Sequence, residues 1–225
     1  ERAIQTWSNG FIPFAILMLP PVFLLALQPD FGSLLVIIAI ATSMFFVAGG
    51  NMIHIFMGGA AAVAISLPVI LSHQYIVERF TVFLHPEAGN DDASYQVMQS
   101  LITAGSGRLF GFGVGGSGQR HGWLPEVQSD TIFAAMAEEL GFVRIILVVA
   151  MFIGIAFIGF EVSKHARNRF EMLVAAGITS WITFQALLNM AVTLGMFPLT
   201  GVTLPFISYG GSSLLSLLFA SGLLL

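Results

Sequence analysis

Four carboxylates and two arginines fall in one stretch, Gly107 to Gly141, which reads GRLFGFGVGGSGQRHGWLPEVQSDTIFAAMAEELG. The acids are Glu126, Asp130, Glu138 and Glu139; the arginines are Arg108 and Arg120. Asp130 stands before Thr131-Ile132-Phe133, at the mouth of a long apolar run, and it reads two ways. As a helix N-cap it would accept amide hydrogens and stay charged. As a general base beside apolar walls it would be desolvated, which raises a carboxylate's pKa toward a useful range. The two readings predict different titration behaviour.

Glu126, just after Leu124-Pro125, is either a solvated loop acid or a second carboxylate that orients an acceptor hydroxyl or holds a metal ion. Glu138 and Glu139 lie two turns beyond Asp130. Acids inside a span are costly, so they are functional hypotheses by default. A buried structural network with Arg144 accounts for them equally well. Arg79, Arg108 and Arg120 are either loop charges or a cradle for a diphosphate, because guanidinium forks match phosphate oxygens. The GxGxxG match at Gly113, Gly115 and Gly118 has no strand before it and no Gly-Lys-Ser after it, so neither a dinucleotide fold nor a P-loop fits. These glycines serve turns, or let the backbone approach another chain or a ligand closely. The five histidines show no metal-ligand spacing, and no metal site is assigned.

The elements that must hold these groups are greasy. The chain is 56% hydrophobic and 9% charged, with a mean hydropathy of +0.90. Soluble domains carry about 25% charged residues, so the class is a polytopic membrane helix bundle. There is no cysteine, hence no disulfide framework. The net charge of −4 argues against nucleic acid. Spans are expected at Phe11–Leu27, Phe31–Ala48 (with Asp30 as N-cap), Met52–Leu71, Asp130–Glu161 and Phe170–Leu194. A sixth starts at Ser212 and stops short of the ~20 apolar residues a span needs. With Glu1 in first place, the chain reads as a piece cut at both ends.

Residues 72–129 hold most of the charges and two amphipathic helical patterns, at Tyr75–Leu84 and Tyr95–Thr103, so they read as a folded cap within a single domain, 1–225. The fourth span is expected to exceed the hydrocarbon thickness and to protrude, tilt or line a wet cavity. Gly195–Gly211 (GMFPLTGVTLPFISYGG) reads as a re-entrant loop, viable only where protein or water covers it. The small-residue face at Gly58 to Ala62 suits close packing of a partner helix. Lys164, Arg167 and Arg169 in a short connector mark the cytoplasmic side. Counting spans then puts 72–129 outside.

The motifs also carry a resemblance. Gln28-Pro29-Asp30-Phe31-Gly32-Ser33, Glu78-Arg79-Phe80, Tyr95-Gln96 with Gln99-Ser100, the glycine run, Leu124-Pro125-Glu126, Asp130 with Ile132-Phe133-Ala134, Glu138-Glu139-Leu140-Gly141 and Gly201 to Ser213 occur in order. In this the sequence resembles the SEDS family, which includes FtsW, RodA and SpoVE; the Asp-Phe-Gly-Ser and Ser-Tyr-Gly-Gly-Ser-Ser wording is closer to FtsW than to RodA. It departs at Gln128-Ser129, where the family has His-Thr, and at Arg120, Gly122 and Trp123.

The resemblance implies roughly the last six of ten spans and a peptidoglycan glycosyltransferase that polymerises lipid II at the outer face of the bacterial cytoplasmic membrane. It makes Asp130 the catalytic aspartate, acting as general base. It points to Glu126, Arg79, Arg108, Gln99, Glu138 and Ser212 as substrate-binding residues. It leaves open a divalent cation at the diphosphate, and it implies a class B penicillin-binding protein and other divisome or elongasome proteins as partners. The rivals are a lipid II flippase, which broken helices and buried acids also suit, and a structural division scaffold.

Overall fold

A computed structural model describes residues 4–28, 30–60, 74–86, 92–116 and 129–224 of the chain. Among these residues there are helices and connecting turns but no strand. A π-helical turn, Trp7–Phe11, leads into α1, Ile12–Leu27. Pro13 occupies the first turn of α1, where its fixed φ suits the helix. Pro20 and Pro21 lie inside the helix, which continues through them.

Asp30 caps α2, Phe31–Val47: its Oδ1 accepts from the Ser33 amide at 3.0 Å. Gly49, at φ +88, turns the chain. Asn51 then accepts from Ile53 N at 2.9 Å, and α3 occupies residues 52–60. The remainder of the expected 52–71 span lies outside the described residues. The two amphipathic patterns form α4, Gln74–Leu84, and α5, Asp92–Ser106. The rest is α6, Ile132–Lys164; α7, Arg169–Thr193; the irregular segment 194–210; and α8, Gly211–Gly222.

Three helices among the described residues are long and apolar enough to cross a membrane: Trp7–Leu27, α6 and α7. α2 and α8 are apolar but shorter, at 17 and 12 residues. The expected fourth span differs in one respect. α6 is interrupted at Gly141, whose φ 76 and ψ 170 are non-helical. A straight helix of its 33 residues would run about 50 Å, well beyond a ~30 Å hydrocarbon core.

The chain forms two compact units, Glu1–Val77 with Ile158–Trp181, and Glu78–Phe157 with Ile182–Leu223. In the first unit Phe14 packs at a tilt against Phe45 with ring centroids 4.7 Å apart, and Phe11 meets Phe45 edge-on. Ser43 and Ser180 hydroxyls bond across it. Gly159 leaves no room for a methyl under Thr179, nor Gly177 under Met44, so bare glycine surface lets these helices close up. In the second unit Phe133, Ile182, Leu204 and Leu217 are almost wholly buried. That unit contains Asp130.

Candidate active site

Asp130 is half-buried in the turn 129–131 that precedes α6. Thr131, rather than Asp130, takes the N-cap position: its carbonyl accepts from Ala134 N at 3.0 Å and from Ala135 N at 3.5 Å. Asp130 therefore precedes the cap by one residue.

Two buried amides on α7 set its surroundings. Asn189, 1% exposed, donates through Nδ2 to the Asp130 carbonyl at 2.8 Å and to the Val202 carbonyl at 2.7 Å. One turn earlier, Gln185 donates through Nε2 to the Thr203 carbonyl at 2.9 Å and to its Oγ1 at 3.2 Å. Residues four apart share a helix face, so the two amides hold consecutive peptides of the 194–210 segment. Ser208 adds a third tie. Its hydroxyl accepts from Leu204 N at 2.7 Å and donates to the Ser129 carbonyl at 2.6 Å. Gly201, at φ +69, passes beside the acid: a methyl group on it would stand 3.5 Å from Asp130 Oδ2. Irregular backbone away from water must have its polar groups satisfied, and these three side chains serve the carbonyls of Val202 and Thr203 and the amide of Leu204.

The expected binding residues fall into separate settings. Arg79, on α4, donates through Nη1 to the Leu199 carbonyl, so Arg79 and Asp130 are tied to the same segment. Arg108 is exposed, at φ 49, and Glu138 is 3% exposed; both belong to the interruption of α6. There Phe112 N donates to the Glu138 carbonyl and Gly113 N to that of Glu139, while Phe142 N and Val143 N donate to the carbonyls of Arg108 and Leu109. The glycine run thus approaches another part of its own chain. Gly107 lies on the Ala137 backbone and Gly111 on that of Glu139 and Gly141, with no space for a methyl. Arg144 donates through Nη1 to the Phe110 carbonyl at 3.1 Å, an exposed bond rather than part of a buried network.

Gln99 is on α5, with its Nε2 3.3 Å from Tyr95 Oη. Ser212 is exposed in the first turn of α8. Glu126 and Arg120 lie outside the described residues. Among the described residues no three His, Asp or Glu side chains converge as metal ligands.

Asn189 and Gln185 stand outside the motifs quoted from the sequence, and Gly201 and Ser208 enter them only as part of the Gly201 to Ser213 stretch. The available signal was two amides four residues apart in an apolar span, which is the mark of a buried polar face.

Fold and site together define a multi-pass helical membrane protein with an acid that stands before a broken helix and beside the irregular segment 194–210. The chain belongs to the FtsW/RodA/SpoVE family of cell cycle proteins, whose sequence profile matches residues 1–225. It is 36% identical over 225 residues to stage V sporulation protein E of Bacillus subtilis (strain 168), covering all of this chain and 62% of that protein. It is 42% identical over 224 residues to a probable peptidoglycan glycosyltransferase FtsW of Alkalilimnicola ehrlichii, covering 98% of this chain and 56% of that protein.

A chain from a solved peptidoglycan synthase complex that coordinates polymerization and crosslinking is similar over 98% of this chain and 61% of its own, with a TM-score of 0.75 and 26% identity. A crystal structure of a mutant of the rod shape determining protein RodA from Thermus thermophilus is similar over all of this chain and 59% of its own, with a TM-score of 0.65 and 28% identity. The chain therefore spans about three-fifths of the length of these relatives.

Proposed function

We propose that the protein to which this chain belongs is a peptidoglycan glycosyltransferase that polymerises lipid II, with Asp130 as general base. The supporting observation is the setting of that carboxylate: half-buried, loop-borne, and backed by Gly201 at the start of an apolar helix. Family membership and relatives named as peptidoglycan glycosyltransferases support the same reading.

In the step proposed, the Asp130 carboxylate takes the proton of the 4-hydroxyl of the acceptor's N-acetylglucosamine. That oxygen bonds to the anomeric carbon of the donor's N-acetylmuramic acid. The bond from that carbon to the diphosphate breaks, and undecaprenyl diphosphate leaves with the electron pair. Attack opposite the leaving group turns an α-linked donor into a β-1,4 product. Charge accumulating on the leaving diphosphate calls for preorganised donors. Arg108, exposed beside the α6 interruption, and Arg79 are the arginines proposed to meet it, together with Glu126, Gln99, Glu138 and Ser212 as substrate contacts.

The basic connector at Lys164 to Arg169 supports a cytoplasmic placement for that end of α6. Asp130 and the 72–129 loop then face outward from the bacterial cytoplasmic membrane. A product strand made there needs cross-linking, which fits a transpeptidase of the class B penicillin-binding type as partner.

The test is glycan synthesis from lipid II by the purified full-length protein. Loss of a general base costs about 10²–10⁴-fold, so Asp130→Asn should reduce product by that factor. Wild-type product from Asp130→Asn would sink the assignment. Movement of lipid II across vesicles without any glycan product would instead favour the flippase.

A further inference from the structure

We propose that Asn189 is a positioning residue for Asp130. This rests on the reading of Asp130 as the base. The single NH₂ group of Asn189 bridges two carbonyls from different parts of the chain, those of Asp130 and Val202. Those two residues flank the carboxylate's position: one carries it, and the other follows Gly201, which backs it. One side chain thus sets the spacing between the acid and the segment behind it.

Asn189 Oδ1 is buried and has no hydrogen-bond partner among the described residues. Both donors of the amide are spent on the two carbonyls beside the acid. Gln185 gives an internal comparison. It is the same functional group on the same face one turn away, and its Nε2 donates to the carbonyl and hydroxyl of Thr203. Loss of Gln185 frees Thr203 of the 194–210 segment. Loss of Asn189 frees the carbonyls of both Asp130 and Val202.

The experiment compares full-length wild type, Asn189→Leu, Asn189→Ser, Gln185→Leu and Asp130→Asn in a lipid II polymerisation assay. Midpoints of thermal unfolding and amide hydrogen exchange are measured on each. Misplacing a catalytic group by about 1 Å costs up to about 10²-fold. Asn189→Leu should therefore lower kcat by about 10–100-fold with KM for lipid II within about twofold. Asn189→Ser, which keeps one donor on a shorter arm, should lose less. Exchange should rise in both 131–135 and 201–204 for the Asn189 variants.

Wild-type kcat in both Asn189 variants, with Asp130→Asn silent, overturns the positioning role and leaves the proposed function standing. Equal falls in kcat and unfolding midpoint for the Asn189 and Gln185 variants also overturn it, because that is the pattern of a merely structural amide. If wild type makes no glycan, the proposed function fails. Exchange then decides separately: unchanged protection of 131–135 in the Asn189 variants overturns the tether.

Discussion

Gly141→Ala tests the interruption of α6 in physical terms. At φ 76 and ψ 170 the backbone is in a region essentially confined to glycine, and a side chain there costs about 1–3 kcal/mol. A methyl would also run into Gly111 N and the Phe110 backbone, neither of which can rotate away. To keep the break, the two chain segments would have to part. That loosens four backbone bonds: Phe112 to Glu138, Gly113 to Glu139, Phe142 to Arg108 and Val143 to Leu109.

The alternative is a straight helix. It would regain Phe142 to Glu138 and Val143 to Glu139 but orphan the amides of Phe112 and Gly113 and the carbonyls of Arg108 and Leu109. Two bonds would then replace four. At about 0.5–1.5 kcal/mol net per bond, this cheaper route still costs about 1–3 kcal/mol. Denaturant unfolding of the full-length protein in detergent should show at least that loss. Gly154→Ala, on the same helix with open space at its Cβ, should be neutral or stabilise by up to about 1 kcal/mol. If Gly141→Ala matches wild type in stability and keeps its amides at 112–113 and 142–143 protected, the reasoning fails.

Two further outcomes follow from the same geometry. Gly111→Ala crowds the Glu139 and Gly141 backbone from the other side at φ 74; its cost should combine with that of Gly141→Ala to less than the sum, because both release one contact, as a double-mutant cycle would show. Ser208→Ala removes one hydroxyl that serves Leu204 N and Ser129 O; it should destabilise by about 1–3 kcal/mol and raise exchange at Leu204, read by mass spectrometry.

Much of the scaffold was legible because hydropathy is a one-dimensional property. Apolar runs bounded by Gln28-Pro29-Asp30, Gly49-Gly50 and the basic connector marked α1, α2, α6 and α7 within a few residues, and the Asp30 cap stood where its type and place required. The charged, alternating stretches marked α4 and α5, although α5 proved longer at both ends. Asp130 could be singled out as an acid at the mouth of an apolar helix, and composition alone excluded soluble and disulfide-built folds.

Other features depended on which distant segments meet. Gly141 is one of three glycines in α6, with Gly154 and Gly159, and nothing local marks it rather than the others as the break. The break exists because residues 108–113 supply the donors and acceptors that the helix gives up there. Asn189 looked like one polar residue in a span, and only the fold brings it to the carbonyls of residues 130 and 202. Periodicity reports which face a helix buries, because that depends on residues a few positions apart. It carries no record of the partner across that face, because a hydrogen bond between residues 59 positions apart is set by how the helices pack.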